Sequence, residues 1–64
     1  MSIKRSYLKE KRKKMGLTQE QVAKKLGISI TFYNQIENGT RNPKLKLALE
    51  IAEFFLLDVK MLVP

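Results

Sequence analysis

Four uncharged side chains with distinct hydrogen-bonding and apolar character cluster near the middle of the chain: Ile30, Thr31, Asn34 and Gln35. Residues three and four positions apart lie on one side of a helix, so these four would form a single face. Ile28, Tyr33 and Ile36 would point the other way, into a core. An Asn or Gln amide can pair bidentately with adenine, and an aliphatic side chain favours a thymine methyl group. This face therefore predicts contact with base edges in the major groove of DNA.

The charge balance also indicates a polyanionic partner. Thirteen Lys and Arg residues oppose six Asp and Glu residues, giving a formal net charge of +7 on 64 residues. Such a field attracts polyanions, which makes nucleic acid the leading partner and an anionic membrane surface the second. No apolar run approaches the ~20 residues that span a bilayer, and no apolar stretch follows Lys4 and Arg5 as it would in a signal peptide. We therefore predict a cytoplasmic, nucleoid-associated protein without a membrane span.

Residues that commonly perform catalysis are scarce. The chain has no Cys and no His, which removes disulfides, thiolate ligands, the usual general base and the commonest metal ligand. Its six carboxylates are scattered and accompany no nucleophile, Gly-rich phosphate loop or metal-ligand spacing. We therefore predict that the protein is not an enzyme and uses neither a metal nor a cofactor.

The chain is short enough to form at most one domain, residues 1–64. Its glycines interrupt segments with helical periodicity, which predicts an all-α fold. Gly16, Gly27 and Gly39 divide the chain into pieces with helical periodicity. The first helix is expected from about Ser2, as N-cap, to Met15. Seven cations lie in this piece, and most of them are expected to be solvated.

The next two pieces have the local signals of a helix-turn-helix over residues 18–38. Thr18 and Gln21 form the spacing of a capping box, and that helix should run to Leu26. Ser29 is a suitable N-cap for a third helix that ends near Asn38. Two short helices joined by a few residues that include a glycine must cross steeply, as in a helix-turn-helix.

The remainder predicts a fourth helix over about 43–55, with Asn42 as N-cap and Pro43 at its first position. Asp58 could cap a short C-terminal helix over about 58–62. This half contains more apolar residues than one small core needs. We expect the surplus to form the contact between two copies, supplied by Leu47, Phe54, Leu57, Met61 and Val63.

The segment Leu17–Ser29, followed by Ile36-Glu37-Asn38-Gly39 and Arg41-Asn42-Pro43, resembles the phage repressor and Cro family, also called XRE-type helix-turn-helix regulators. The resemblance spans roughly residues 3 to 62. It implies a compact five-helix repressor-like domain whose third helix enters the major groove. It also implies a homodimer on a pseudo-palindromic operator, acting most often as a repressor.

The resemblance assigns residues to three roles. Base reading would fall to Ile30, Thr31, Asn34 and Gln35. Contacts at or near the DNA backbone would fall to Thr18, Gln19, Asn38, Thr40, Arg41 and Lys44. Arg12 and Glu37 would form a structural ion pair between the first and third helices. Three of these residues could have structural roles instead. Thr31 could help to cap the third helix, Asn34 could be simply solvated and Asn38 could shape the end of that helix.

Four residues depart from the family pattern. Lys11 stands at a usually apolar position. Phe32 replaces a small residue, where it could press on the sugar-phosphate backbone of DNA but is expected to shield the core. Lys44 replaces a capping Ser, which should shift the cap to Asn42. Leu56 replaces the Gly or Asn that usually follows the fourth helix, so the turn there is expected to differ.

Two other functions compete with that of a DNA-binding regulator. An antitoxin-like protein would bind DNA through the same face, while a partner protein covers its apolar C-terminal surface. A membrane-surface binder would use the basic first helix, but its apolar residues, among them Tyr7, Leu8 and Met15, are needed inside the fold.

Overall fold

Four α-helices and one short 3₁₀ helix account for most of residues 4–62, the part of the chain that the computed structural model describes. These elements are α1 (Ser6–Lys14), α2 (Gln19–Leu26), α3 (Ile30–Asn38), α4 (Leu45–Phe55) and the 3₁₀ helix Val59–Met61. The described range contains no strand, which confirms the all-α class. The fifth helix predicted over about 58–62 is only a 3₁₀ turn, although Asp58 caps it by accepting a 3.0 Å hydrogen bond from the Lys60 amide.

Local capping explains the bounds of α2 and α3. Thr18 Oγ1 accepts from the Gln21 amide at 3.1 Å, and Gln21 Oε1 accepts from the Thr18 amide at 2.8 Å, which completes the predicted capping box. Ser29 Oγ accepts from the Phe32 amide at 3.0 Å at the start of α3. Gly27 and Gly39 end the two helices with φ of 72° and 75°, a left-handed conformation that glycine adopts without a side-chain clash. The predicted ends of both helices agree with the structure.

The start of α1 was predicted wrongly. Lys4 and Arg5 are not helical, and α1 begins at Ser6 with Arg5 as a cap residue that makes no side-chain capping bond. The Arg5 amide instead donates to the carbonyl oxygen of Glu37 at 2.8 Å, which holds this residue outside the helix. The predicted N-cap, Ser2, lies outside the described residues.

The start of α4 also differs from the prediction. The helix begins at Leu45 with Lys44 at the cap position, and the ammonium group of Lys44 cannot accept a capping hydrogen bond. Asn42 does not cap the helix because its Oδ1 accepts from Nη2 of Arg5. The helix therefore begins two residues later than predicted, without a side-chain cap.

The turn after α4 keeps the geometry that Leu56 was expected to change. Leu56 has φ of 56° and ψ of 47°, the left-handed conformation, and its side chain is 86% exposed. A left-handed conformation costs a residue with a Cβ about 1–2 kcal/mol. The prediction of a different turn is wrong, since the chain adopts the usual turn with an unfavourable residue.

The core lies between the four α-helices. Each of the four α-helices contributes fully or nearly fully buried apolar side chains, and Leu62, just after the 3₁₀ helix, joins them. The buried set is Leu8, Val22, Ala23, Tyr33, Ile36, Ala48, Ile51, Ala52, Phe55 and Leu62. Tyr7 joins the two ends of the fold, because its hydroxyl donates to the carbonyl oxygen of Met61 at 2.6 Å. Met15, expected inside, is exposed, and so is Lys11.

Candidate nucleic-acid interface

The face of α3 that carries Ile30, Thr31, Asn34 and Gln35, called the reading face below, is present in the structure. Its four residues differ in accessibility. Ile30 and Thr31, in the first turn, are exposed, and Ile30 retains 45% of its surface. Asn34 and Gln35, one turn later, are half-buried. Tyr33 and Ile36 on the opposite side are fully buried, so the structure has the two opposed faces that the spacing predicted.

A chain of amide hydrogen bonds runs along this face. Asn38 Nδ2 donates to Asn34 Oδ1 at 3.0 Å, and Asn34 Nδ2 donates to Gln19 Oε1 at 3.3 Å. Gln19 Nε2 in turn donates to Glu37 Oε1 at 3.1 Å. Each amide therefore fixes the orientation of the next, from the exposed end of α3 to a buried carboxylate. The side chain of Gln35 makes no hydrogen bond to residues 4–62, so its amide is free for a partner.

The buried end of this chain is the ion pair between Arg12 and Glu37. Arg12 Nε lies 2.7 Å from Glu37 Oε2, and the two side chains are 10% and 4% exposed. Arg12 Nη1 also donates to the carbonyl oxygen of Leu17 at 2.9 Å, so one guanidinium connects α1, α3 and the entrance to α2. The structure thus brings the two residues predicted to form a structural ion pair into direct contact.

The surroundings shift the pKa values of three groups at this ion pair. Burial alone would raise the pKa of Glu37, but hydrogen bonds from Arg12 and Gln19 outweigh it and hold that pKa below its ordinary value. The hydrogen bond to Glu37 raises the pKa of Arg12. Burial raises the pKa of Tyr33, whose hydroxyl lies near Glu37 but has no hydrogen-bond partner among the described residues.

The loop after α3 presents cations beside the reading face. The amides of Thr40 and Arg41 both donate to the carbonyl oxygen of Gln35, at 3.0 and 3.3 Å, which folds the loop back onto the helix. Cζ of Arg41 lies 4.7 Å from the centre of the Phe32 ring, in cation–π geometry. Phe32 itself packs against the core, as expected. Lys44 is exposed at the start of α4.

Arg5 is a residue of this site that the sequence interpretation missed. Its guanidinium donates to the carbonyl oxygens of Ile36 at 2.8 Å and Arg41 at 3.3 Å, and to Oδ1 of Asn42. Arg5 is only 9% exposed. It therefore anchors the end of α3 and the following loop. It precedes α1 and lies among other cations, so no periodicity marks it as buried.

The residues predicted to join two copies are not equally accessible. Leu47, Phe54 and Leu57 are half-buried and pack against the core, whereas Met61 is exposed. Val63 lies outside the described residues. The most exposed leucines are instead Leu45, Leu49 and Leu56. The sequence pattern did not predict that these three leucines would be the most exposed.

Two further observations concern metal binding and membrane spans. Among the described residues, no group of three or more carboxylates could hold a metal ion. None of the helices described has both the length and the apolar character needed to cross a bilayer.

The capped pair α2 and α3, joined by residues 27–29, defines a helix-turn-helix protein. A family model described as helix-turn-helix matches residues 8–60, well over half of the chain. The chain belongs to this family, the XRE-type helix-turn-helix DNA-binding transcription regulators.

Several curated relatives are similar to the chain. An uncharacterized HTH-type transcriptional regulator of Methanocaldococcus jannaschii, MJ0272, is 49% identical over 51 residues, covering 80% of this chain and 77% of that protein. The regulator YqaF of Bacillus subtilis is 45% identical over 49 residues, covering 77% of this chain. The ImmF control region 10 kDa protein of Bacillus phage phi105 is 42% identical over 57 residues, covering 89% of this chain. The aligned part spans 64% of YqaF and 63% of the phage protein, and no solved structure matches significantly.

Proposed function

We propose that the protein is a repressor that binds a pseudo-palindromic operator as a homodimer, with α3 in the major groove. The observation that carries this proposal is the outward face of α3, where an unengaged Gln35 amide lies beside a cation-bearing loop on a protein of net charge +7. Uncharged amides and methyl groups read base edges, whereas loop cations neutralise phosphates without sequence preference. The protein would act in the cytoplasm, on the nucleoid.

Accessibility supports the proposed base-reading roles. Gln35 can pair with adenine through its free amide, Thr31 can bond a base edge or a phosphate, and Ile30 can contact a thymine methyl group. The amide of Asn34 is shared with its neighbours along α3 and with α2. It would read a base only through its remaining donor or by exchanging these bonds.

The proposed backbone contacts group around two positions. Gln19 is the first residue of α2, so its main-chain amide is free of the helical ladder and faces an anion-favouring helix end. Its side chain is already bonded to Glu37 and Asn34, so we assign the phosphate contact to this amide, with Thr18 beside it. Around the loop after α3, Asn38, Thr40, Arg41 and Lys44 would meet the second set of phosphates.

The small size of the reading surface supports the proposed homodimer. One short helix contacts only a few base pairs, whereas two copies on half-sites about 34 Å apart can specify a genomic site. The exposed leucines Leu45 and Leu49 lie one turn apart on α4, and Met61 is exposed on the 3₁₀ helix. We propose that these three form the centre of the contact, with the half-buried Leu57 at its edge. Leu47 and Phe54 lie on the opposite flank of α4 from Leu45 and Leu49, so we leave these two residues outside the contact.

A second candidate has a specific observation in its favour. Leu56, just after α4, is 86% exposed. A dimer contact limited to the surface of α4 would leave this leucine uncovered. A partner protein could cover this leucine while α3 binds DNA, as in the antitoxin-like alternative. The membrane-surface alternative is weaker, because Leu8 of α1 is fully buried and unavailable to lipid.

Selection of bound DNA from a random pool tests the proposal. The expected product is a two-fold symmetric site that the protein prefers over random DNA by about 10³-fold or more at physiological salt. A parallel measurement on anionic vesicles and random DNA at two salt concentrations identifies a purely electrostatic binder, whose affinity collapses as salt rises. Recovery of no common sequence would overturn the repressor proposal.

A further inference from the structure

A groove of about 410 Å³ opens on the side of the helix-turn-helix that faces α4. Its apolar floor includes Ile28 in the turn and Phe32 in the first turn of α3, together with Leu47 from the more distant α4. Each of these side chains is half-buried and packs against the core, so the floor is held from beneath. The volume falls within the range of about 300–1,000 Å³ that is typical of small-molecule sites.

The rim of the groove carries an excess of positive charge. Arg41, Lys44 and Lys46 all line it, against the single carboxylate of Glu50. The guanidinium of Arg41 is held over the Phe32 ring at 4.7 Å, which keeps a cation at the boundary between rim and floor. An apolar floor beneath such a rim is complementary to a molecule with one anionic end and one apolar end.

We propose that this groove binds a small amphipathic anion, in which an aliphatic or aromatic group carries one carboxylate or phosphate. The apolar part would cover Ile28, Phe32 and Leu47, releasing the water that the half-buried floor now meets. The head group would pair with Lys44 and Lys46 at the rim. The guanidinium of Arg41 suits either a carboxylate or a phosphate, because it can donate hydrogen bonds to both. Duplex DNA has no apolar chain to place on this floor, so the site is chemically distinct from the reading face.

This site would also regulate DNA binding, a consequence that rests on the proposed function. Arg41 and Lys44 belong both to the rim and to the proposed phosphate contacts. An anion paired with these cations lowers the positive charge available to the DNA backbone, and affinity for DNA depends steeply on that charge. The amphipathic anion is therefore expected to release the operator.

Amide NMR spectra of the full chain without DNA test the groove directly. We would titrate octanoate and octyl phosphate, which distinguish the two head groups, and octan-1-ol and acetate, which lack the head or the chain. At least one octyl anion should give saturable shifts around Ile28, Phe32 and Leu47, with affinity at least about tenfold above that of octanol and acetate. Equal affinity for octanol, or shifts centred on Leu45, Leu49 and Leu56, would overturn the proposal.

A pair of charge-matched variants separates rim recognition from general attraction. Lys44→Gln with Lys46→Gln should weaken binding of the octyl anion about tenfold, since each exposed ion pair contributes modestly. Lys9→Gln with Lys13→Gln removes the same charge from exposed positions on α1, away from the groove, and should leave binding unchanged. An equal loss in both variants would overturn the assignment of the rim. Shifts of the groove amides on dilution alone, without added anion, would show that a second copy of the chain occupies the groove and would overturn the proposal.

The regulatory consequence has its own measurement. With the selected operator, octanoate should weaken DNA binding at constant ionic strength, whereas acetate should not. An anion that saturates the groove and leaves operator affinity unchanged would overturn the coupling. A chain that binds no operator but still shows the groove shifts would overturn the proposed repressor function and leave the groove site standing.

Discussion

Arg5 and Ile36 are joined by a hydrogen bond of 2.8 Å from the guanidinium Nη1 to the carbonyl oxygen, across 31 positions of sequence. The same guanidinium contacts the carbonyl oxygen of Arg41 and the side chain of Asn42. One buried cation before α1 thus satisfies acceptors at the end of α3 and in the following loop. The loop that presents Arg41 is held by a residue outside the helix-turn-helix.

Replacing Arg5 by Met keeps most of the aliphatic stem and removes this anchor. We expect Arg5→Met to lower the free energy of unfolding by about 2 kcal/mol, because hydrogen bonds to charged groups contribute about 1.5–3 kcal/mol and the buried acceptors lose their donor. Urea unfolding gives the stability, and hydrogen exchange should show faster opening at Thr40 and Arg41. Lys9→Met, on the exposed side of α1, is the control and should change stability by less than about 0.5 kcal/mol. Equal effects of the two variants would contradict the anchoring role.

The buried pair of Arg12 and Glu37 leads to a second prediction. Glu37→Gln preserves shape but leaves the guanidinium of Arg12 buried without a counter-charge, and we expect a loss of about 3 kcal/mol in unfolding free energy. Glu10→Gln is the matched control, since Glu10 is exposed on α1. Thermal and urea unfolding at neutral pH measure both variants. A stability of Glu37→Gln close to that of Glu10→Gln would show that the ion pair contributes little.

Acid should remove the contribution of Glu37 in the wild-type protein. The folded state holds the pKa of Glu37 below its ordinary value of 4.5, so its ionised form stabilises the fold above that pH. This stabilisation is lost as pH falls below 4.5 and through the lowered folded-state pKa. Unfolding curves from neutral pH to about pH 3 should show the stability difference between wild type and Glu37→Gln narrowing toward the acid end. A constant or widening difference would contradict the lowered pKa.

The parts of the fold that were predictable depend on short-range interactions. Thr18 with Gln21, and Ser29 with Phe32, form capping bonds three residues apart, so the bounds of α2 and α3 follow from neighbouring residues. The starts of α1 and α4 were misplaced because Arg5 and Asn42 bond to each other across 37 positions. A local pattern gives no information about that pairing.

The site was predictable to a similar extent and for a similar reason. The helical spacing places Thr31 and Gln35 on the outward face of α3, and the structure does the same. The engagement of Asn34 by Gln19 depends on how α2 crosses α3, which periodicity does not determine. Likewise, apolar composition indicated a surplus around α4, but only the packing shows that Leu47 is half-buried while Leu49 is exposed.

The left-handed conformation of Leu56 predicts a stabilising substitution. Leu56→Gly should raise the free energy of unfolding by about 0.5–1 kcal/mol, because the left-handed cost of about 1–2 kcal/mol exceeds the extra chain entropy that glycine loses on folding. Leu56→Ala is the control, since it removes the exposed side chain but retains a Cβ at positive φ. Urea unfolding distinguishes the two. Equal stabilisation by both would show that exposure of the leucine, and not its backbone, was unfavourable.

Reading and positioning of DNA should respond differently to mutation. Gln35→Ala should cost about 1–3 kcal/mol at one base position of each half-site and relax discrimination there. The carbonyl oxygen of residue 35 remains in this variant, so the bonds that hold the loop are kept. Arg41→Ala should weaken binding to all sequences alike and reduce the salt dependence by about one phosphate contact. Binding of single-base operator variants at several salt concentrations tests both, and identical profiles would contradict the division of roles.

The exposed leucines of α4 provide the test of dimerisation. Leu49→Glu introduces a charge at the centre of the proposed contact and should shift the protein toward the monomer, lowering operator affinity about a hundredfold through loss of the second half-site. Ile30→Glu, at an equally exposed apolar residue on α3, should weaken DNA binding but leave the dimer intact. Sedimentation velocity with and without operator separates the two effects. A wild-type protein that stays monomeric at high concentration, both alone and on operator, would refute the homodimer and favour a partner protein as the occupant of this surface.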